Sequence, residues 1–194
     1  MSKNICKELP SAEFLNSLLT YCPETGNLYW KEREITGYSL RLTNVFKARF
    51  GKIAGTLSRK MDGTPHAIRV RVDGEGIRRS AVAHRVIWKM IGREVPDRMV
   101  IDHIDQNPWN NRLDNLRLAT HSQNTANSAS KGKKGKRDPS LPKGIDWHPK
   151  LRKYRVQIMS NGMKKHIGVY KALEEAKAAW KAEAEKEFGE FACS

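Results

Sequence analysis

Cysteine is scarce in this chain. Only three of its 194 residues are Cys, and none of them form a CxxC pair; they are Cys6, Cys22 and Cys193. This argues against a structural zinc knuckle and a disulfide framework, and it agrees with a reducing cytoplasm. The sequence also lacks an apolar run near the roughly 20 residues that span a bilayer, and its first residues lack the apolar core of a signal peptide. These absences predict a cytoplasmic protein without membrane association, and no obligate protein partner is evident.

Acidic residues are also in deficit. The chain has 21 Asp and Glu against 36 Lys and Arg, which gives a net charge of +15. Such an excess favours a polyanionic partner, most often nucleic acid. A solubilising surface and an RNA-binding protein remain alternatives on charge alone. Hydrophobic residues make up 39% of the chain, so at least part of it should fold around its own core, as one medium domain or two small ones.

The most informative segment runs from residue 100 to 124. Asp102 and His103 follow a short apolar run, and an Asn-rich turn leads to Asn115 and Asn124. A carboxylate such as Asp102 binds a hard cation, Mg²⁺ or Mn²⁺, and an imidazole such as His103 can take a proton from water near neutral pH. Asn115 is then the candidate to orient the imidazole, and Asn124 is the candidate second metal ligand. This order of residues suits a phosphodiester-cleaving site with one metal ion.

Adjacent residues of a regular strand point to opposite faces, so the strand that carries Asp102 and His103 must twist or end there. The alternative for the whole segment is a turn-rich hairpin whose Asn side chains only satisfy the backbone. Three neighbours have open roles. Arg112 is a candidate phosphate contact or a plain surface residue, Trp109 a packing residue or a groove wedge, and His121 an extra ligand or a phosphate contact.

The motif resembles the HNH (ββα-metal) nucleases of the branch found in phage homing endonucleases. In that family an Asp precedes the general-base His, a later Asn fixes the ring, and an Asn on the closing helix shares the metal. Asp102, His103, Asn115 and Asn124 match those positions in order and approximate spacing. The resemblance covers about residues 83–127 and implies a nuclease with a ββα core at about residues 98–129. If the chain is phage-encoded, it would work in the host cytoplasm.

Patterns outside this motif predict an α+β organisation. Ser11 is a plausible N-cap for a helix that ends near residue 19, and residues 83–91 predict a second helix that Gly92 ends. Alternation over residues 67–72 predicts a strand that returns over residues 77–82. The predicted strands of the central motif span residues 100–101 and 113–118, and a helix over residues 122–129 carries Asn124.

Composition changes after residue 130. Five of the seven residues from 131 to 137 are basic, and no apolar periodicity is present, so residues 131–142 predict a flexible basic linker. The remaining residues predict three short strands with a hairpin turn at Asn161-Gly162, then a helix over residues 172–188. Alternation along the second strand should turn Tyr154, Val156 and Ile158 toward this helix, whose apolar stripe includes Trp180 and Phe188. Between residues 131 and 165, twelve Lys and Arg face only two acids. A basic sheet backed by one helix is suited to the major groove of DNA.

The C-terminal segment resembles the AP2-type DNA-binding domain, through KGIDWHPKLRKYRVQI, KKHIGVYKALEEAKAAW and the FGEFA ending. In that family the sheet reads DNA through Arg, Lys and Trp side chains. The resemblance implies contacts from Trp147, Arg152, Arg155 and Lys165, and Gln157 is a possible adenine reader. The alternatives are basic residues that only solvate the sheet, and a core position for Trp147.

Together these patterns predict an α+β protein with an HNH nuclease region at residues 1–130, a basic linker at 131–142 and an AP2-like DNA-binding domain at 143–194. The predicted activity is metal-dependent endonuclease cleavage of double-stranded DNA. One divalent metal per site favours a site-directed nickase of the phage homing type. The alternative is a catalytically silent, sequence-specific DNA-binding regulator.

Overall fold

The structure is a computed structural model, and it describes residues 9–34, 36, 39–74, 77–128, 138 and 140–192. The chain divides into two compact units. One comprises Met1–Pro96 and Asn107–Arg117, and the other comprises Asp97–Gln106 and Leu118–Ser194. Both contain helices and antiparallel strands, which confirms the prediction of a mixed α and β protein. Most of the predicted linker, residues 131–137 and 139, lies outside the described residues, and the predicted domain boundaries stay a prediction.

The helices of the first unit are α1 (Ala12–Leu18), α2 (Leu40–Lys47) and α3 (Ala83–Met90). The predicted cap of α1 is confirmed, because the Ser11 hydroxyl accepts a hydrogen bond from the backbone N–H of Phe14 at 3.1 Å. The predicted end of α3 is confirmed by Gly92, whose φ of 73° lies in the left-handed region. Helix α2 was not predicted from the sequence, and its first residue, Leu40, is 78% exposed.

The strands of the first unit form two antiparallel sheets. They are β1 (Leu19–Cys22) with β2 (Asn27–Trp30), and β3 (Thr56–Arg59), β4 (Pro65–Gly74) and β5 (Ile77–Val82) in the order β3-β4-β5. The alternation predicted for β4 holds, since Val70 and Val72 are both fully buried. They share a core with Leu15 of α1 and Ile87 of α3.

The middle of the chain contributes a two-stranded sheet of β6 (Met99–His103) and β7 (Leu116–Thr120), followed by α4 (His121–Asn127). The second strand was predicted over residues 113–118, and its start was wrong. Leu113–Asn115 is a short 3₁₀ turn, in which the N–H of Asn115 donates to the carbonyl of Arg112 at 3.0 Å. Because residues 113–115 form this turn, β7 begins at Leu116, three residues after the predicted start.

The C-terminal part forms the predicted sheet and helix. Strands β8 (Ile145–His148), β9 (Lys153–Ser160) and β10 (Met163–Tyr170) pair antiparallel in the order β10-β9-β8, and α5 (Leu173–Phe188) follows. The predicted hairpin turn is confirmed by positive φ angles of 49° at Asn161 and 79° at Gly162. Positive φ at both residues is typical of the two-residue loops that join the strands of a hairpin. The predicted stripe of α5 is largely buried, including Trp180 and Phe188.

One hydrophobic core joins the end of the central motif to this C-terminal sheet. Ala119 of β7 and Ala126 of α4 pack with Ile145, Val156 and Trp180, among others, in the same buried cluster. Helix α4 therefore packs against the C-terminal sheet and helix instead of standing alone after β7.

Candidate functional site

Strand β6 ends at the Asp-His pair. Asp102 is 4% exposed and His103 is 8% exposed, so both lie in the interior at the end of the strand. The chain turns directly afterwards: the N–H of Gln106 donates to the carbonyl of His103 at 3.0 Å, and Gln106 has a φ of 62°. The strand β6 therefore ends at the Asp-His pair, which is one of the two outcomes predicted from the sequence. Asp102 and His103 are the last two residues of β6, and both side chains are buried.

Asn127 holds the carboxylate of Asp102, and the sequence analysis did not single it out. Its side-chain Nδ2 donates to both carboxylate oxygens, at 3.1 and 2.9 Å, and to the main-chain oxygen of His103 at 2.8 Å. Asn127 is itself buried, with 6% exposure. A buried carboxylate is costly unless donors satisfy it, so this amide both stabilises and orients Asp102. One sequence signal was available, because Asn127 lies three residues after Asn124 and therefore on the same side of a helix.

Helix α4 presents Asn124 and Asn127 toward one side and starts at a well-formed cap. The hydroxyl of Thr120 accepts from the N–H of Gln123, and the Gln123 side chain accepts from the N–H of Thr120, which completes a capping box. Asn124 is half-buried and lies one turn before Asn127 on α4. His121 is the first residue of α4 and is exposed. The ligand role of Asn124 remains a prediction.

Asn115, the residue predicted to orient the imidazole, lies in the other compact unit. It is buried, and its side-chain Nδ2 donates to the carbonyl of Asn110 at 2.8 Å. In the preceding loop, the side-chain Oδ1 of Asn107 accepts from the N–H of Trp109 at 3.1 Å. Trp109 packs under the guanidinium of Arg59, 4.7 Å from the ring centre. Several Asn residues thus support the loop backbone, and the orienting role of Asn115 remains a prediction.

The guanidinium of Arg112 is engaged by neighbours in its own unit. Its Nε and Nη2 donate to the two carboxylate oxygens of Asp114, at 3.2 and 2.9 Å, and its Nη1 donates to the carbonyl of Glu24 at 2.6 Å. The hydrogen bond from Arg112 lowers the pKa of the Asp114 carboxyl. Arg112 therefore ties the loop to the β1–β2 turn in this structure, and its proposed contact with a DNA phosphate remains a prediction.

The donor set at the end of β6 fits a hard cation. No group of three His, Cys, Asp or Glu side chains in the described part of the chain could hold a metal ion. A site there would instead combine the Asp102 carboxylate with an amide oxygen, such as that of Asn124, and with water or phosphate oxygens. Mg²⁺ is commonly held in this way, by one or two carboxylates plus water and substrate phosphate.

The predicted DNA contacts of the C-terminal sheet fall on its two faces. Val156 and Ile158 of β9 are buried in the core with α5, so Gln157 between them and Arg155 just before them lie on the opposite face. Arg155 forms an ion pair with Asp146 there, with Nη2 2.6 Å from the carboxylate. Arg152 is exposed in the turn before β9.

Trp147 and Lys165 lie instead on the side of the sheet that carries α5. Trp147 is paired with Tyr154, and their rings meet edge to face with centres 4.9 Å apart. Lys165 is paired with the buried Ile158, and its ammonium donates to the carboxylate of Glu183 on α5. This hydrogen bond raises the pKa of Lys165 and lowers that of Glu183. This placement does not test whether Trp147 or Lys165 contacts DNA, so both contacts remain predictions.

The central segment of the chain resembles a known protein family. Residues 81–126 match the family model described as HNH endonuclease. The match begins in β5 and ends in α4, so it contains all four residues that the sequence analysis assigned to the site. By sequence, this segment is similar to the HNH endonuclease family.

Two relatives match longer stretches. An uncharacterized HNH endonuclease, L560, of Acanthamoeba polyphaga mimivirus is 37% identical over 111 residues, which are 56% of this chain and 54% of that protein. Protein 3.8 of Escherichia phage T7 is 35% identical over 79 residues, which are 41% of this chain and 62% of that protein. The chain thus spans between half and two thirds of the length of these relatives.

A solved structure of DNA binding and cleavage by the HNH homing endonuclease I-HmuI has a TM-score of 0.39 and 22% identity. It covers 62% of this chain and 56% of that one. This likeness is too weak to support an inference. Within the described residues, no helix has the length and apolar character needed to cross a membrane.

Proposed function

We propose that this protein is a metal-dependent endonuclease that hydrolyses phosphodiester bonds in double-stranded DNA and nicks one strand per site. The observation that carries the proposal is the buried Asp102–His103 pair at the end of β6, inside the segment that matches the HNH endonuclease family. The net charge of +15 adds support, because it favours a polyanionic substrate.

In the proposed reaction, His103 accepts a proton from water, and the water oxygen forms a bond to phosphorus while the bond to the leaving sugar oxygen breaks. A single Mg²⁺ or Mn²⁺, held by Asp102 and Asn124, would stabilise the negative charge on the leaving oxygen. Asn115 is proposed to orient the imidazole. Asn127 fixes the plane of the Asp102 carboxylate.

The C-terminal sheet is proposed to recruit the site to its target as an AP2-like DNA-binding module. The face opposite α5 carries Arg155 and Gln157, and Arg152 is exposed in the turn before β9. Trp147 and Lys165 are proposed contacts on the other side of the sheet. A DNA-binding module that holds a weakly specific nuclease near one site raises its effective concentration there.

Nicking of supercoiled plasmid tests the proposal. We expect relaxation with Mg²⁺ or Mn²⁺, none with EDTA, and loss of nicking by a factor of at least about 10² in His103→Ala, because general-base catalysis contributes that much or more. Binding of duplex DNA, measured by fluorescence anisotropy in EDTA, should be unchanged. His66→Ala is the matched control, since His66 is an exposed histidine on β4.

Wild-type nicking by His103→Ala would remove His103 from the catalytic role. No cleavage by the wild type with any divalent metal, together with tight duplex binding, would instead favour a DNA-binding regulator. Preferential binding of RNA in competition with duplex DNA would contradict the choice of substrate, because the deep major groove of RNA does not admit a sheet.

A further inference from the structure

We propose that Lys143 is a positioning residue of the candidate metal site, which makes the C-terminal module a structural part of that site as well as its tether. Lys143 stands just before β8, outside the segment that matches the HNH endonuclease family. The inference rests on the proposed function, because it is the Asp102 site that Lys143 would position.

Helix α4 needs support from outside itself. It has only seven residues, and helices shorter than about 12–15 residues are marginal in isolation. Its first turn has the capping box of Thr120 and Gln123, but its last turn contains no basic residue. The carbonyls of a last turn lack partners within the helix and carry partial negative charge, so they favour a nearby cation.

Lys143 supplies that cation. Its ammonium donates to the carbonyl oxygen of Thr125, and it lies 3.1 Å from the carbonyl oxygen of Ala126 and 3.2 Å from that of Ser128. An ammonium has three N–H donors, so one side chain can satisfy all three carbonyls at once. Lys143 therefore caps the C-terminal end of α4, although it lies fifteen to eighteen residues further along the chain than the carbonyls that it binds.

The turn that Lys143 closes also contains Asn127. The carbonyls that it binds belong to the residues on both sides of Asn127, and the Asn127 amide donates to both oxygens of Asp102. If the last turn of α4 unwinds, the side chain of Asn127 moves with it. The connection thus runs from Lys143 through the main chain of residues 125–128 and the Asn127 amide to the carboxylate of Asp102.

Two further contacts join α4 to the C-terminal module. Ala126 is buried in the core with Ile145 and Val156, and the N–H of Asn161 donates to the hydroxyl of Ser122 at 3.2 Å. Ser122 lies in the first turn of α4 and Asn161 lies in the β9–β10 turn, so the module contacts both ends of the helix. A substitution at Lys143 removes its contact with the last turn of α4 without opening a cavity in the core.

The test compares three full-length variants. Lys143→Met removes the charge and keeps most of the apolar stem, and Lys143→Arg retains a cation at the same place. Lys164→Met is the charge-matched control, because Lys164 is an exposed lysine of β10 in the same module. Mn²⁺ affinity of the DNA-free protein is measured by calorimetry, and hydrogen exchange of the amides in residues 121–128 by mass spectrometry.

We expect Lys143→Met to weaken Mn²⁺ binding about tenfold, as loss of an outer-shell partner does, and to exchange faster over residues 121–128. Lys164→Met should match the wild type in both measurements, and Lys143→Arg should recover most of the loss. Equal behaviour of the two Met variants would overturn the proposal. So would an Arg variant as impaired as Lys143→Met, since the retained charge would then have no effect.

The two proposals fail in different ways. A wild-type protein that neither binds Mn²⁺ nor cuts DNA would count against the nuclease assignment. The exchange measurement needs no metal, so unchanged protection of residues 121–128 in Lys143→Met would overturn the role of Lys143 whatever the outcome for the nuclease.

Discussion

The Asn127–Asp102 contact connects two elements at the candidate site. Both residues are less than a tenth exposed, and three hydrogen bonds from one amide nitrogen connect the end of α4 to the end of β6. Hydrogen bonds to a buried carboxylate are stronger than those between neutral groups, and a donor removed there leaves the charge with fewer partners. A local change at Asn127 should therefore alter the chemistry of Asp102.

Asn127→Ala tests this contact. Loss of the amide should weaken divalent-metal affinity or nicking about 10- to 100-fold, as is usual for residues that orient metal ligands, and should destabilise the fold by about 1–3 kcal/mol. Thr125→Ala is the matched control, because Thr125 is an exposed residue of the same helix. Metal titration of nicking and chemical denaturation measure the two effects. An Asn127→Ala protein with wild-type metal dependence would show that the amide only fills space.

Among the elements, the C-terminal sheet and α5 show the closest agreement between pattern and structure. Alternation along β9 and the helical stripe of α5 predicted the same buried residues that the structure places between them, including Val156 and Trp180. Strand β8 is short and pairs with only part of β9, and the chain enters it through Gly144, where the N–H of Gln157 donates to the Gly144 carbonyl at 2.8 Å. The backbone at Gly144 is therefore packed closely against β9 and α5.

Gly144→Ala should be strongly destabilising. Gly144 has a φ of 79°, and a Cβ there would lie 2.5 Å from the carbonyl oxygen of Gln157 and would overlap the Trp180 ring. The conformational cost is about 1–2 kcal/mol and overpacking adds about 1–3 kcal/mol. Gly162→Ala is the control, with the same φ of 79° and no atom within 4 Å of the added Cβ, so it should lose only the first amount. Urea denaturation distinguishes them, and equal losses would argue against the clash.

At the scale of the whole molecule, positive charge is the dominant feature. The net charge of +15 predicts that DNA binding is driven largely by release of counterions from the phosphate backbone. Residues 131–165 contain twelve Lys and Arg against two acids, and the C-terminal sheet shares its core with α4. The proposed DNA-binding sheet and the proposed metal site would thus lie in one compact unit.

The affinity for duplex DNA should fall linearly with salt on a log–log plot. Each phosphate contact contributes about 0.9 to the slope, so Arg152→Gln should reduce the slope by about that amount if Arg152 contacts a phosphate. Anisotropy titrations between low and moderate salt measure it. Glu190→Gln provides the control, because it removes a negative charge from a residue outside the sheet. An unchanged slope in Arg152→Gln would remove Arg152 from the set of phosphate contacts.

The amino-acid sequence by itself determined the elements whose periodicity is local. The capped helix α1, the β4–β5 hairpin and the stripe of α5 follow from patterns that any segment carries within itself. The Asp102–His103 pair was also evident, because metal and proton chemistry restrict the residue types that serve it. The start of β7 was misplaced because a 3₁₀ turn at Leu113–Asn115 shows no hydrophobic period.

Only the tertiary structure decided which distant residues support the site. Asn127 meets Asp102 across 25 positions of sequence, and Lys143 reaches α4 from beyond the described end of that helix. Neither contact belongs to a periodic pattern, since each depends on where two elements come to lie in the fold. The faces of Trp147 and Lys165 were likewise set by strand register, which a shift of one residue would reverse. Composition and spacing indicate which chemistry a chain can perform, whereas packing decides which side chains hold the reacting groups in place.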